Sequence, residues 1–182
     1  TPLPPPSSPP PLPPAPPPRS QPPPSPSPYA FADKAALQAA VNEWVANPTT
    51  ASQIYGPIAD WNVGAVTDGS ELFKDKTTFN GAIGSWDTSQ MTTMHEMFSG
   101  ATSFDQPLAF DTSRVTDMER MFSQATTFNR PLAFDTSQVT RMKQMFKYAS
   151  VFNQPLGWNL SAVPYNSFGF LEIFHGSALA AD

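Results

Sequence analysis

Apolar side chains are distributed along this chain in three different ways. Residues 1 to 28, TPLPPPSSPPPLPPAPPPRSQPPPSPSP, show no alternation and no helical period, only proline broken by Ser, Leu and Ala. From Asp33 to Ala46, Leu37, Ala40, Val41, Trp44 and Val45 fall on one face of a helix. Asp33 is a suitable N-cap, and Asn47-Pro48 is read as the stop. A loop rich in Thr, Ser and Gly follows, with Tyr55-Gly56-Pro57, and leads to Trp61. From there the pattern repeats itself.

Trp86-Asp-Thr-Ser-Gln-Met-Thr-Thr-Met94 returns as Phe110-Asp-Thr-Ser-Arg-Val-Thr-Asp-Met118 and again as Phe134-Asp-Thr-Ser-Gln-Val-Thr-Arg-Met142, a period of 24 residues. Each copy continues to a Met-Phe pair (Met97-Phe98, Met121-Phe122, Met145-Phe146). A second Phe comes six residues after the first (Phe104, Phe128, Phe152), followed by a Gln/Arg-Pro-Leu segment. Weaker copies flank these three, Trp61 to Phe79 before and Trp158 to Phe170 after, which makes about five coils.

Within a coil, Asp-Thr-Ser suits an Asx-turn, because the short carboxylate accepts from the backbone two residues on. Thr116-Asp-Met-Glu119 reads as a capping box, with Thr92 and Thr140 in the same N-cap place. Val139, Met142, Met145, Phe146 and Ala149 keep the spacing of a short amphipathic helix. Phe152-Asn-Gln-Pro-Leu156 must then be extended, since Pro155 ends a helix and restricts its predecessor. The expected architecture is an α/β repeat solenoid of 24-residue coils with short helices and extended returns. A single coil cannot cover its own apolar faces, so the coils must stack, with the helix at residues 33 to 46 as terminal cap.

Composition separates the proline segment from everything else. Of the 23 prolines, 17 precede Tyr29, so residues 1 to 28 are predicted to be a polyproline II rod rising ~3.1 Å per residue. The remaining boundaries are 29–57 for cap and lead-in, 58–170 for the coils and 171–182 for an apolar tail. A net charge of -5 with 14% charged residues offers no basic patch for nucleic acid. No apolar run is long enough to span a bilayer. Cysteine is absent, which removes disulfides and thiol chemistry. The chain opens at Thr1 without a basic and apolar leader and is read as a processed chain or a fragment.

Two resemblances follow from these residues. The Ser-Pro-Pro and Pro-Pro-Pro blocks and the Ser25-Pro26-Ser27-Pro28 end resemble hydroxyproline-rich glycoproteins of plant and green-algal walls, the extensin and pherophorin type. That resemblance implies hydroxylation and glycans at Pro4, Pro5, Pro6, Pro9, Pro10, Pro11, Pro16, Pro17, Pro18, Pro22, Pro23, Pro24, Pro26 and Pro28. A competing reading makes the segment a PxxP ligand, with Arg19 as its basic neighbour. Over Ile58 to Phe170, the Trp-Asp-Thr-Ser-x-Val-Thr-x-Met, Met-Phe and Phe-Asn-Gln-Pro-Leu elements resemble the repeat of BspA-like leucine-rich-repeat surface proteins, a module of unknown function. This implies an extracellular, non-enzymatic solenoid of leucine-rich-repeat type. The last coil departs from the pattern, with Val163-Pro164-Tyr165-Asn166 in place of Val-Thr-x-Met.

Candidate chemistry is sparse. Asp87, Asp111 and Asp135 should form one ladder, and Asn80, Asp105, Asn129 and Asn153 another; both are explained by local hydrogen bonding, although three carboxylates in a row are also a conceivable calcium ladder. His95 and His175 have no partners at a telling sequence spacing, and the methionines from Met91 to Met145 read as core. No nucleophile motif, metal-ligand cluster or phosphate loop is present, so no catalytic, cofactor or metal site is expected. Asn159-Leu-Ser161 is an N-glycosylation triplet. Phe168, Phe170, Leu171, Ile173 and Phe174 in the tail either fold back as a cap or meet a neighbour. A neighbour of the same kind, docked head to tail, gives a filament. The expectation is a secreted, self-assembling structural glycoprotein; the alternative is a monomeric surface adhesion module.

Overall fold

The computed structural model describes residues 29–158, 161, 163 and 172–178. Helix α1, Lys34–Ala46, begins where the pattern predicts, with the Asp33 carboxylate accepting from the Ala36 N–H at 2.9 Å. Leu37, Ala40 and Val41 are its buried residues. Asn47 ends α1, donating its N–H to the Glu43 carbonyl, and also opens α2, Pro48–Tyr55, by accepting from the Thr50 N–H. The loop expected here is therefore largely helix. Pro48 takes the first helical position, where its missing N–H costs nothing. The 3-10 turn Ile58–Asp60 leads into Trp61.

The α/β repeat solenoid does not form. Among the described residues the α-helical elements are α1 and α2, both ahead of the repeats, besides two helical residues at 172–173, and there is no strand. The repeats meet through isolated parallel bridges, Asp68 to Thr93, Thr93 to Asp117 and Asp117 to Arg141. The segments expected as helices are trains of turns. Each carries two residues of positive φ, four apart: Glu71 and Asp75, Glu96 and Gly100, Arg120 and Gln124, Gln144 and Tyr148. A left-handed residue is where a helix stops.

Spacing explains why turns replace helices. Phe73, Phe98, Phe122 and Phe146 form a ladder of near-parallel rings with centroids 5.3, 5.4 and 5.5 Å apart. Helix axes pack no closer than about 8 to 10 Å, so units this close have room only for turns. Backbone donors also alternate in direction. Met97 donates back to Met94 at 3.2 Å and Phe98 across to Met121 at 2.8 Å; Ser99 donates back to Glu96 and Gly100 across to Ser123. A helix would consume those crossing N–H groups internally and leave the units unjoined. The capping box expected at Thr116 and Glu119 is replaced by an Asx-turn, in which the Asp117 carboxylate accepts from the Glu119 N–H at 2.9 Å.

The core runs the length of the stack. Phe79, Phe104, Phe128 and Phe152 form a second ladder, 5.7 to 5.9 Å apart. Within a unit the two ladders touch, as at Phe98 and Phe104, 4.3 Å apart. The methionines from Met91 to Met145 are buried among them, as expected. At the N-terminal end, Phe31 and Tyr55 pack on Trp61, which α1 meets through Trp44. At the other end Phe174 lies 5.7 Å from Phe146 and extends the first ladder by one ring.

Candidate functional site

Three polar lines run across the stacked units, each set by a residue type that recurs at the repeat spacing. Along the first, Asp87, Asp111 and Asp135 accept from the N–H of Ser89, Ser113 and Ser137 at 3.1, 3.0 and 2.9 Å. These bonds, led by the serine hydroxyl at Asp87 and Asp111 and by the backbone N–H at Asp135, hold all three carboxyls below the ordinary aspartate value. The line is a ladder of Asx-turns, and these three carboxylates form no shared metal cluster among the described residues.

The second line is the Phe-Asn position. Asp105 donates its N–H to the Asn80 side chain, Asn129 to the Asp105 carboxylate and Asn153 to the Asn129 side chain, each at 3.0 Å. Each side chain thus pins the backbone of the following unit, as hydrogen bonding along the stack predicts.

The third line is charged, and sequence spacing alone did not find it. Lys34 meets Asp68 at 3.2 Å; Lys74 and Arg120 both meet Glu96; Arg141 meets Asp117 at 3.2 Å and Glu119 at 3.0 Å. Gln144 accepts from Arg120 and donates to Glu172, which Lys143 also reaches at 3.3 Å. Glu96 is the buried centre of this line, 7% exposed. The Lys74 ammonium holds its carboxyl below the usual glutamate range, with help from Arg120 and against the effect of burial. The same pair raises Lys74.

His95 sits inside this network. Its Nε2 is 3.8 Å from Glu96 and its Nδ1 is 3.9 Å from Asp117, and that buried Nδ1 has no hydrogen-bond partner among the described residues. Ligand-type atoms of Glu71, His95 and Glu96, and of His95, Asp117 and Glu119, come within 4.8 Å of one another. Glu96 and Asp117 in those sets already face Lys74, Arg120 and Arg141, so the arrangement is an ion-pair ladder around an imidazole. Writing the units in register would have revealed it, since Ser70-Glu71, His95-Glu96, Glu119-Arg120 and Lys143-Gln144 are equivalent pairs.

The remaining candidates divide between core and undescribed positions. Pro4, Pro5, Pro6, Pro9, Pro10, Pro11, Pro16, Pro17, Pro18, Pro22, Pro23, Pro24, Pro26 and Pro28 lie outside the described residues, as do Asn159, Phe168, Phe170 and Leu171. Ile173 is 1% exposed in the single chain. Phe174 is half-buried against Phe146, so these two side chains form the fold-back cap. Phe146 and Tyr148 donate their N–H groups to the Ile173 and His175 carbonyls, both at 2.8 Å. The slot filled by Met97-Phe98 and Met145-Phe146 elsewhere is filled by Ile173-Phe174, 28 residues on instead of 24. The match of Ile173-Phe-His-Gly176 to Met97-Phe-Ser-Gly100 is the signal that marks this register.

Among the described residues no helix is long and apolar enough to cross a membrane. A family model described as Mycoplasma protein of unknown function, DUF285, matches residues 48–156 and 109–175. The match falls on the same units that carry the resemblance to BspA-like surface repeats. No curated protein and no solved structure matches the chain.

Proposed function

The chain belongs to the DUF285 family, and from that premise we propose that it is an extracellular, non-enzymatic structural subunit that assembles with copies of itself into a filament, wall or matrix layer. The observation that carries the reading is the unbroken stack: two ring ladders inside and ion pairs crossing successive units outside. Such a block holds its shape under load because every unit is tied to the next by backbone bonds and side chains. The proline-rich segment supplies reach and contact between blocks. Hydroxyproline-linked glycans on Pro4 to Pro28 and an N-linked glycan at Asn159 belong to the same reading. A peptide mass carrying hydroxyproline plus pentose supports them, and unmodified prolines throughout native material remove them.

The deciding experiment is electron microscopy of native material together with sedimentation of the full chain. Regular fibres or sheets containing the chain, lost on deletion of residues 1 to 28, are expected. Dispersed particles near the 19.8 kDa of one chain plus glycan would overturn the reading. They would favour the alternative, a monomeric adhesion module, for which Tyr148 is the motivating observation: it is 48% exposed on the repeat face, with the Lys147 ammonium 5.2 Å from its ring.

A further inference from the structure

Beside the capping helix lies a cleft of about 470 Å³ between Trp44 and Val45 of α1, Pro48 at the start of α2, and Phe79, Asn80 and Gly81. Its walls are fixed from behind. Trp44 stands edge-on to Trp61, 5.8 Å away, and Phe79 stacks on Phe73 at 4.2 Å. Trp44 itself is only partly buried. The Asn80 side-chain oxygen is occupied by Asp105 and Gln106. Among the described residues neither the Asn80 amide N–H groups nor the Trp44 indole N–H has an acceptor.

The cleft therefore presents apolar walls from Trp44, Val45, Pro48 and Phe79, with the Asn80 amide and the Trp44 indole as the donor-bearing groups of its lining. It suits a ligand made of apolar rings and carbonyl acceptors without N–H groups of its own, which is the chemistry of polyproline. Such a segment belongs to this chain. Residues 1 to 28 hold 17 prolines and join the fold at Tyr29, whose ring packs on Phe31 and Tyr55, in the aromatic cluster around Trp61 that also holds Trp44. The segment's single charge, Arg19, is positive, whereas the chain as a whole carries -5.

We propose that this cleft receives the proline-rich segment of a second copy of the chain. Proline-rich chains keep their direction over several residues, and residues 1 to 28 contain no glycine to make a tight reversal. A stiff segment with no such reversal is better suited to reach a neighbour's cleft than to double back onto its own fold. The inference rests on the self-assembly reading and names the surface through which assembly runs.

The test uses the full chain from a bacterial host, which leaves its prolines unmodified, and a fluorescent peptide of residues 1 to 28. Thr78→Arg places bulk and positive charge on the exposed rim of the cleft without touching the core. Trp44→Ala is the second variant, and melting curves verify that both fold. The wild-type chain should self-associate reversibly, with free peptide dissociating the assemblies. Thr78→Arg should weaken peptide binding and self-association at least tenfold. If Thr78→Arg and Trp44→Ala associate and bind peptide like wild type, the cleft is the wrong surface and self-assembly stands on another. If the wild-type chain stays monomeric while its peptide binding depends on Thr78, the chain's own segment fills the cleft, and both the second copy and the assembly reading fall.

Discussion

At the scale of single residues, position in the ring ladders decides cost. Phe122 is fully buried, with Phe98 at 5.4 Å on one side, Phe146 at 5.5 Å on the other and Phe128 at 4.2 Å within its own unit. Removing it leaves a cavity closed on both faces by rings that backbone bonds hold in place, so the site cannot collapse. Phe122→Ala should cost about 3 to 5 kcal/mol. Phe174, half-buried at the end of the same ladder, has a ring on one side only among the described residues, Phe146. Its replacement by Ala should cost about half as much, since roughly half the contact is lost. Urea melts of the two variants measure the difference. Equal losses would mean that the ladder does not carry the stability assigned to it. Left-handed residues follow similar logic: Gly100 has φ +71°, and a Cβ there would run into the Asp75 carboxylate, whereas Gln124 and Tyr148 hold the same left-handed conformation with side chains.

At the scale of the repeat unit, the ion pairs make stability depend on pH in a predictable direction. The Glu96 carboxyl titrates below its ordinary 4.5 in the folded chain, held down first by Lys74 and then by Arg120. A depressed folded value means that the contribution is complete above the unfolded value and is lost as pH falls through the folded one. Between pH 7 and pH 3 the wild-type melting temperature should therefore drop, most steeply below about 4.5. Glu96→Gln should start about 1 to 2 kcal/mol less stable at pH 7 and fall less over that window. Its slope should not vanish, because Asp68, Asp87 and Asp111 are also held low by hydrogen bonds. Parallel slopes for the two proteins would remove Glu96 from the acid response. Much of this scale was readable beforehand: the period, the inward Phe and Met, the Asx-turns and the asparagine ladder all follow from residue type and spacing. The helices did not survive because Met94, Met97, Phe98 and Ala101 lie inward in a helix and in a train of turns alike. What separates the two is the ring spacing between units, which no single copy contains. Asp117, which faces the His95 Nδ1, was hidden for the same reason, being a neighbour about one repeat away.

For the whole molecule, the two ends decide whether the stack is closed. Repeat arrays draw stability from intrinsic terms and nearest-neighbour interfaces, so an uncovered terminal unit is the first to open. Here α1 and the Tyr29–Phe31 segment cover the first unit, with Phe31 donating to Asn62 and Asn62 to Tyr29, both at 2.9 Å. Ile173 and Phe174 cover the last, through the Phe146 ring and the N–H groups of Phe146 and Tyr148. Deleting residues 171 to 182 should expose the faces of Met145 and Phe146 and release both N–H groups to water. Hydrogen exchange in the native state separates this cap from a decorative tail. In the truncated chain the Phe146 and Tyr148 amides should lose most of their protection, and the equivalent Phe122 and Gln124 amides, which donate to Met145 and Lys147, should lose part of theirs. The Phe73 and Asp75 amides, two interfaces further away, should change little. A uniform loss along the whole array would mean that it opens as one cooperative block and that the end cap stabilises every unit equally. Unchanged protection at Phe146 would show that the last unit stands without Ile173 and Phe174, leaving those two side chains free to serve an interface instead.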